Sequence, residues 1–294
     1  MGVNGIARHE RRKLTMLNEV IDISNVLYIS DLDGTLFDPE SNITDITAKK
    51  LNSLIEKGMN FTVATARSVY SVKPKMSAVN ISVPCILMNG VNIYDLKNDS
   101  FINSEFIAPA DSAKVLKVFE NHGKHCFMYR IDKGILTCYY SELTTNVMKS
   151  FAEVRKYEYK KPFVQCHLAD FADEYTIYFT STASYEELLP IKLEIEKIEG
   201  IDHAFYLDVY NDAWYLEIFS HRASKSNGIK FLREKYGFDK VVAFGDNLND
   251  LSMFAQADFK IAVGNARDEV RAAADIVIGD NKNNGVADWL ENNF

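Results

Sequence analysis

Val26-Leu27-Tyr28-Ile29-Ser30 runs directly into Asp31-Leu32-Asp33-Gly34-Thr35-Leu36, and the reading of this stretch decides the fold. The apolar run has the pattern of a strand buried on both faces, as in a parallel sheet. Two carboxylates then fall two residues apart where the strand ends, beside a glycine suited to a sharp turn. In an open α/β sheet, ligands bind at the carboxyl ends of strands. Like charges this close repel, and burial raises the cost. A divalent cation such as Mg²⁺, which takes carboxylate oxygens, removes that penalty. Alone, the segment reads equally well as a solvated acidic turn, so positions elsewhere in the chain must decide.

The pattern around it alternates. Thr44 or Asp45 can cap a helix reaching Lys57, and Gly58 ends it. Phe61–Thr65 reads as a second strand, a helix follows to about Val79, and Cys85–Met88 reads as a third strand. This βαβαβ order implies a parallel sheet with right-handed crossovers. After Asn89-Gly90 the strands become aromatic and alternating, as in Phe127–Tyr129, Thr137–Tyr140, Tyr175–Phe179, Phe205–Tyr210 and Trp214–Phe219. Helices are expected over Ser112–Asn121, Glu142–Tyr157 and Tyr185–Ile198, and a hairpin loop at Asn211-Asp212-Ala213. From Lys225 the βα alternation returns, with strands at Lys240–Phe244 and Phe259–Val263. The expected class is therefore α/β: a parallel-sheet core over 26–92 and 220–294, an α+β cap inserted over 93–219, and an extension over 1–25.

Bulk properties narrow the chemistry. The 294 residues carry 41 acidic and 33 basic side chains, a net charge of −8, with no Lys/Arg-rich block; nucleic acid is an unsuitable partner. A negative protein that handles a phosphorylated substrate must place its cations locally. The four cysteines form no CxxC pair, which suits a reducing cytoplasm better than a disulfide framework. His122, His125 and Cys126, with Cys166 and His167, are poorly spaced for zinc. No apolar run approaches the ~20 residues of a membrane span, so no membrane partner is expected. Glu19 and Asp22 interrupt the first apolar stretch, which does not read as a secretory signal.

Four polar clusters fall at strand ends or helix starts of the core pattern: Asp31 and Asp33; Thr65 with Ala66 and Arg67; Lys225; and Gly245-Asp246-Asn247-Leu248-Asn249-Asp250. Each has an ordinary reading alone: Thr65 as a strand residue, Lys225 as an exposed lysine, Asp246 as a helix cap. Their coincidence on one rim fits phosphoryl transfer, which needs an in-line nucleophile, a proton donor and cations around the phosphoryl oxygens. Asp31 suits the nucleophile and Asp33 the acid/base. Asp246 suits a metal ligand, Lys225 the neutralising cation, and Thr65, the Ala66 N–H and Asn249 the phosphate donors. Asp250 suits a residue that holds the others.

These residues resemble the four motifs of the haloacid dehalogenase-like hydrolases. The long insertion between Thr65 and Lys225 is similar to the Cof-type branch with its type IIB cap, as are Val263-Gly264-Asn265-Ala266 and Asn284-Gly285-Val286-Ala287. The resemblance implies a Rossmann-like core and an Mg²⁺-dependent phosphatase acting on small phosphorylated metabolites, such as sugar phosphates, through an aspartyl-phosphate. It implies metal held by Asp31, the Asp33 main-chain carbonyl and Asp246. Ala66 departs from the branch's usual Thr-Gly. A phosphomutase, or a catalytically silent phosphate-binding regulator, would keep the same scaffold. A cap over the strand ends would select substrate, with Arg67, Asn89 and Arg222 near the expected junction and Tyr129, Tyr139, Tyr206 and Trp214 as stacking candidates.

Overall fold

The computed structural model describes residues 25–208 and 213–294. The expected extension, as far as residue 24, and Asn211 and Asp212 of the expected hairpin loop lie outside the described residues. Contacts divide the chain into two units, one built from the residues up to Asp99 and from Lys225 to Phe294, the other from Ser100–Ser224. Both junctions fall a few residues beyond those suggested by the sequence pattern.

The first unit opens with β1 (Val26–Ser30), buried along its whole length as its composition demands. The chain turns at Gly34, whose φ of 78° suits glycine. Helix α1 (Asp45–Glu56) starts at Thr44, which is the cap actually used: its hydroxyl accepts the Thr47 N–H at 3.0 Å. Strand β2 (Asn60–Val63), α2 (Val69–Lys75), β3 (Cys85–Leu87) and β4 (Asn92–Asp95) follow. The third strand differs from expectation. It stops at Leu87 because Met88, Asn89 and Gly90 all take positive φ (52°, 55° and 99°). It meets the neighbouring chain through one parallel bridge, Ala64 to Ile86, and pairs antiparallel with β4. That hairpin keeps residues 92–95 in the first unit.

The second unit contains β5 (Ser100–Ser104), α3 (Pro109–Asn121), β6 (Phe127–Asp132), β7 (Ile135–Tyr140), α4 (Asn146–Glu153), β8 (Phe163–Gln165), β9 (Thr176–Ala183), α5 (Tyr185–Ile195), β10 (Ile201–Asp208) and β11 (Ala213–Ser220). Six strands form one sheet in the order β10-β11-β9-β6-β7-β8, antiparallel except between β7 and β8. Strand alternation sends Met128, Phe179, Leu216 and Ile218 to the apolar cluster shared with Val115, Phe119, Leu188 and Ile191 of α3 and α5. The expected stacking residues engage rings of their own unit: Tyr129 with Tyr178, Tyr139 with Phe171, Tyr206 with Tyr215, Trp214 with Phe205. Helix α4 begins only at Asn146, behind the Thr145 cap, later than its apolar pattern suggests.

The first unit resumes with α6 (Lys225–Tyr236), β12 (Lys240–Gly245), α7 (Asp250–Phe254), β13 (Phe259–Ala262), α8 (Asp268–Ala273), β14 (Ile276–Val277) and α9 (Gly285–Asn293). Its five-stranded sheet runs β14-β13-β12-β1-β2, parallel throughout. The chain steps outward in one direction from β1 and in the other from β12, so strand order reverses between them. That reversal is where α/β sheets open a ligand crevice. Gly228 lets α6 lie against β3, since a Cβ there would stand 2.8 Å from Ile86 Cδ1 and Cγ2. Among the described residues, no helix is long and apolar enough to cross a membrane.

Candidate active site

Because β1 and β12 are paired with Ser30 opposite Phe244, Asp31 and Gly245-Asp246 leave neighbouring strands at the same rim. The Asp31 N–H extends the ladder to the Phe244 carbonyl at 3.0 Å. Lys225, 1% exposed at the first position of α6, donates to Asp31 Oδ1 and to Asp250 Oδ1, both at 2.7 Å. Asp250 Oδ2 accepts the N–H groups of Asp246 (2.9 Å) and Asn247 (3.0 Å). Asp250 therefore ties the ammonium to the β12 turn, with both of its oxygens engaged. Asp246 Oδ1 accepts the Thr35 hydroxyl at 2.6 Å.

Carboxylate oxygens of Asp31, Asp246 and Asp250 lie within 4.8 Å of one another. Burial raises the pKa of Asp31 well above the usual carboxylate range, with Asp250 and Asp246 adding to the rise and Lys225 opposing it. Burial would lower that of Lys225, but Asp250 and Asp31 at contact distance hold it above its ordinary value. Burial pushes Asp246 up to about 6; Thr35 and Lys225 oppose the shift, and Asp250 and Asp33 add to it. With all three carboxylates ionised, one ammonium leaves two negative charges, which one divalent cation would balance. The donor set fits such an ion: hard oxygens, with Asp31 and Asp246 the residues able to hold it.

Asp33 is placed differently. Its side chain is 44% exposed and receives a fork from Arg67, Nε to Oδ2 and Nη2 to Oδ1, each 2.6 Å. The Ser41 hydroxyl adds a bond at 3.0 Å. Burial works upward on Asp33, but Arg67, then Ser41 and Lys75, bring it below the usual carboxylate range. Arg67, read from the sequence as a substrate contact, is thus turned toward Asp33, with Nη1 on Ser71 at 2.8 Å.

Thr65 is buried at the end of the β2 segment, where its hydroxyl accepts the Arg67 N–H at 3.1 Å. Ala64, just before it, is bonded to Ser30, just before Asp31. Ala66 and Asn249 are both exposed, Asn249 at the start of α7. Arg222 lies in the second unit, donating to Glu105 at 2.9 Å.

Sequence reasoning read Gly34 as a turn residue only and gave Thr35 and Asn265 no role at the site. Gly34 is required twice over: its φ is positive, and a Cβ there would stand 2.4 Å from Asp246 Oδ2. Asn265 donates to the Gly34 carbonyl at 2.7 Å and accepts the Asn281 N–H at 3.0 Å, bracing the turn. Asn284, with φ 58°, accepts the hydroxyls of Thr44 and Thr47. The two C-terminal signatures are therefore struts, which their sequence could suggest but not locate. Gly34→Ala is expected to reduce turnover at least 100-fold, since a displaced catalytic group costs that much. It should also cost about 1–3 kcal/mol of stability from backbone strain. Steady-state rates and thermal unfolding check this; wild-type rates would refute the fit drawn around Asp246.

Comparisons with known proteins give the chain's family and fold. The profile described as haloacid dehalogenase-like hydrolase matches residues 28–290. Pyridoxal phosphate phosphatase YbhA of Escherichia coli strain K12 is 26% identical over 267 residues, covering 88% of this chain and 95% of that protein. Among solved structures, TM0651 from Thermotoga maritima superimposes with a TM-score of 0.76 at 24% identity, over 90% of this chain and 96% of that one. The subclass IIB sugar phosphatase BT4131 superimposes with a TM-score of 0.66 at 22% identity, over 90% and 98%.

Proposed function

The chain belongs to the haloacid dehalogenase-like hydrolases, in the Cof-type branch, and from that premise we propose that it is a metal-dependent phosphatase of small phosphorylated metabolites working through Asp31. One observation carries this reading: Asp31 at the strand-order reversal, neutralised by buried Lys225 and facing Asp246 across a surplus of negative charge. The related Escherichia coli protein is named for pyridoxal phosphate, itself a small phosphate ester.

Asp31 attacks phosphorus in line through a carboxylate oxygen, and the ester oxygen leaves. Lys225 holds Asp31 in place and offsets charge that develops on the phosphoryl oxygens. Mg²⁺, when bound by Asp31, Asp246 and the Asp33 carbonyl, supplies electrostatic stabilisation of those oxygens. Thr65, the Ala66 N–H and Asn249 orient the phosphate. Asp33 transfers the proton: as placed it is an ionised base held by Arg67, suited to accept a proton from attacking water in the second half-reaction. To protonate the leaving oxygen in the first, it must carry a proton and turn away from Arg67.

The test is phosphate release from a panel of phosphorylated metabolites with Mg²⁺ and with EDTA. Release abolished by EDTA and restored by Mg²⁺ is expected; EDTA-resistant release would exclude the metal mechanism. Asp246 adds a pH dependence. Its folded-state pKa of about 6 lies above the ordinary value, and a carboxyl must lose its proton to bind a cation. Mg²⁺ affinity should fall as pH drops through about 6, where Asp246 gains a proton, and protonation of Asp31, whose pKa is also raised, steepens the fall. Calorimetric titration at several pH values checks this, and equal affinity at pH 5 and pH 7 would contradict it.

A further inference from the structure

Thr65 and Arg67 stand two positions apart and serve different partners. Thr65, with the Ala66 N–H, belongs to the candidate phosphate loop, while the Arg67 guanidinium forks onto both oxygens of Asp33 at 2.6 Å each. This short segment is pinned through its backbone. The Arg67 N–H donates to the Thr65 hydroxyl at 3.1 Å, the Asn89 N–H to the Thr65 carbonyl at 3.0 Å, and the Met88 N–H to the Arg67 carbonyl at 3.1 Å. Asn89, read from the sequence as a substrate contact, therefore braces the loop, and its side-chain oxygen is buried.

The guanidinium is fixed on its other sides as well. Nη1 donates to the Ser71 hydroxyl at 2.8 Å, and the group lies over the Phe37 ring, 5.7 Å from its centroid. Asp33 receives a third bond, from the Ser41 hydroxyl at 3.0 Å. Ser41 itself takes a left-handed φ of 57°, and Lys75 donates to its carbonyl at 2.6 Å. Strained backbone retained in this way is characteristic of functional sites. A charge-assisted fork fixes the plane of a carboxylate as well as its position. The Asp33 carboxylate is thus tied at a set place relative to the loop that carries Thr65 and Ala66.

We propose that Arg67 is a positioning residue that acts through Asp33, aligning the base that activates water with the phosphate loop. In the second half-reaction the water oxygen bonds to phosphorus. The bond from phosphorus to the Asp31 oxygen breaks, its electron pair returns to the Asp31 carboxylate, and the water proton passes to Asp33. Arg67 touches neither the phosphoryl group nor the water in this step. This inference rests on the phosphatase reading of the site.

Steady-state hydrolysis of p-nitrophenyl phosphate by the full chain with Mg²⁺ tests it. The p-nitrophenolate leaves without a proton, so the first half-reaction needs no acid. With this ester kcat/KM reports phosphoryl transfer to Asp31, and kcat reports the hydrolysis that follows. Arg67→Met should lower kcat about 10- to 100-fold, the cost of a displaced catalytic group. It should leave kcat/KM within about threefold, so that KM falls with kcat. The burst of p-nitrophenolate in stopped flow counts competent sites, which keeps an unfolded fraction out of the rates. Arg67→Gln, polar but unable to fork, should show the same split. In Asp33→Asn, where no carboxylate remains to be placed, adding Arg67→Met should cost less than about twofold. An unchanged kcat, a raised KM, a kcat/KM that falls in step with kcat per competent site, or a full further loss on the Asp33→Asn background would each overturn the Arg67 assignment while the phosphatase reading stands. Absence of any turnover by the wild-type chain would remove that reading and this inference with it.

Discussion

Asp31→Asn is expected to reduce phosphate release on the order of 10⁴-fold or more while leaving the protein folded. Loss of a nucleophile costs this much because the remaining groups only bind and orient. The amide keeps an oxygen for the Lys225 bond of 2.7 Å, so the strut between β1 and α6 survives. It also removes one of the charges that repel Asp250 and Asp246. The melting temperature should therefore stay at or above that of wild type. Rate and unfolding measurements on the same preparation separate chemistry from folding. Turnover undiminished by the substitution would end the nucleophile assignment.

Lys225→Met should act mainly on stability. The ammonium is 1% exposed and bridges two carboxylates that are themselves buried. Removing one partner of a buried ion pair costs about 3–5 kcal/mol, because the remaining charges are left uncompensated. For a domain of this size, that is a fall of about 10 °C in melting temperature. The deficit has a predictable pH dependence. Asp31 already titrates above the usual range, and loss of Lys225 removes the influence that opposes that rise. Protonation at low pH relieves the repulsion, so the gap between variant and wild type should narrow as pH falls from 7 toward 5. A loss below about 1 kcal/mol, or a gap independent of pH, would show that Lys225 is not the neutralising cation of this site.

Much of the site was legible because its polar residues fall where an alternating apolar pattern breaks. Asp31 follows a fully buried strand, and Asp246 follows one buried from Val241 onward. The side chains opposite to expectation are those whose partner is distant in sequence. Nothing local to Arg67 indicates that its guanidinium fits the two oxygens of Asp33, thirty-four positions away. Nor does Asn265 announce the Gly34 carbonyl it supports. The third strand was misjudged for a local reason: apolar composition extends through Met88, but three consecutive positive φ angles end the ladder at Leu87.

Composition and periodicity by themselves determined an α/β core, a differently textured insertion and the residue types gathered at the strand ends, because buried strands and amphipathic helices write their burial into the chain. Tertiary structure alone decided the pairings: Lys225 with Asp31 and Asp250, Thr35 with Asp246, Arg67 with Asp33. Hydrogen bonds and ion pairs act over about 3 Å whatever the sequence separation. The parallel register of β1 against β12 brings Thr35 and Asp246, more than two hundred positions apart, within that range.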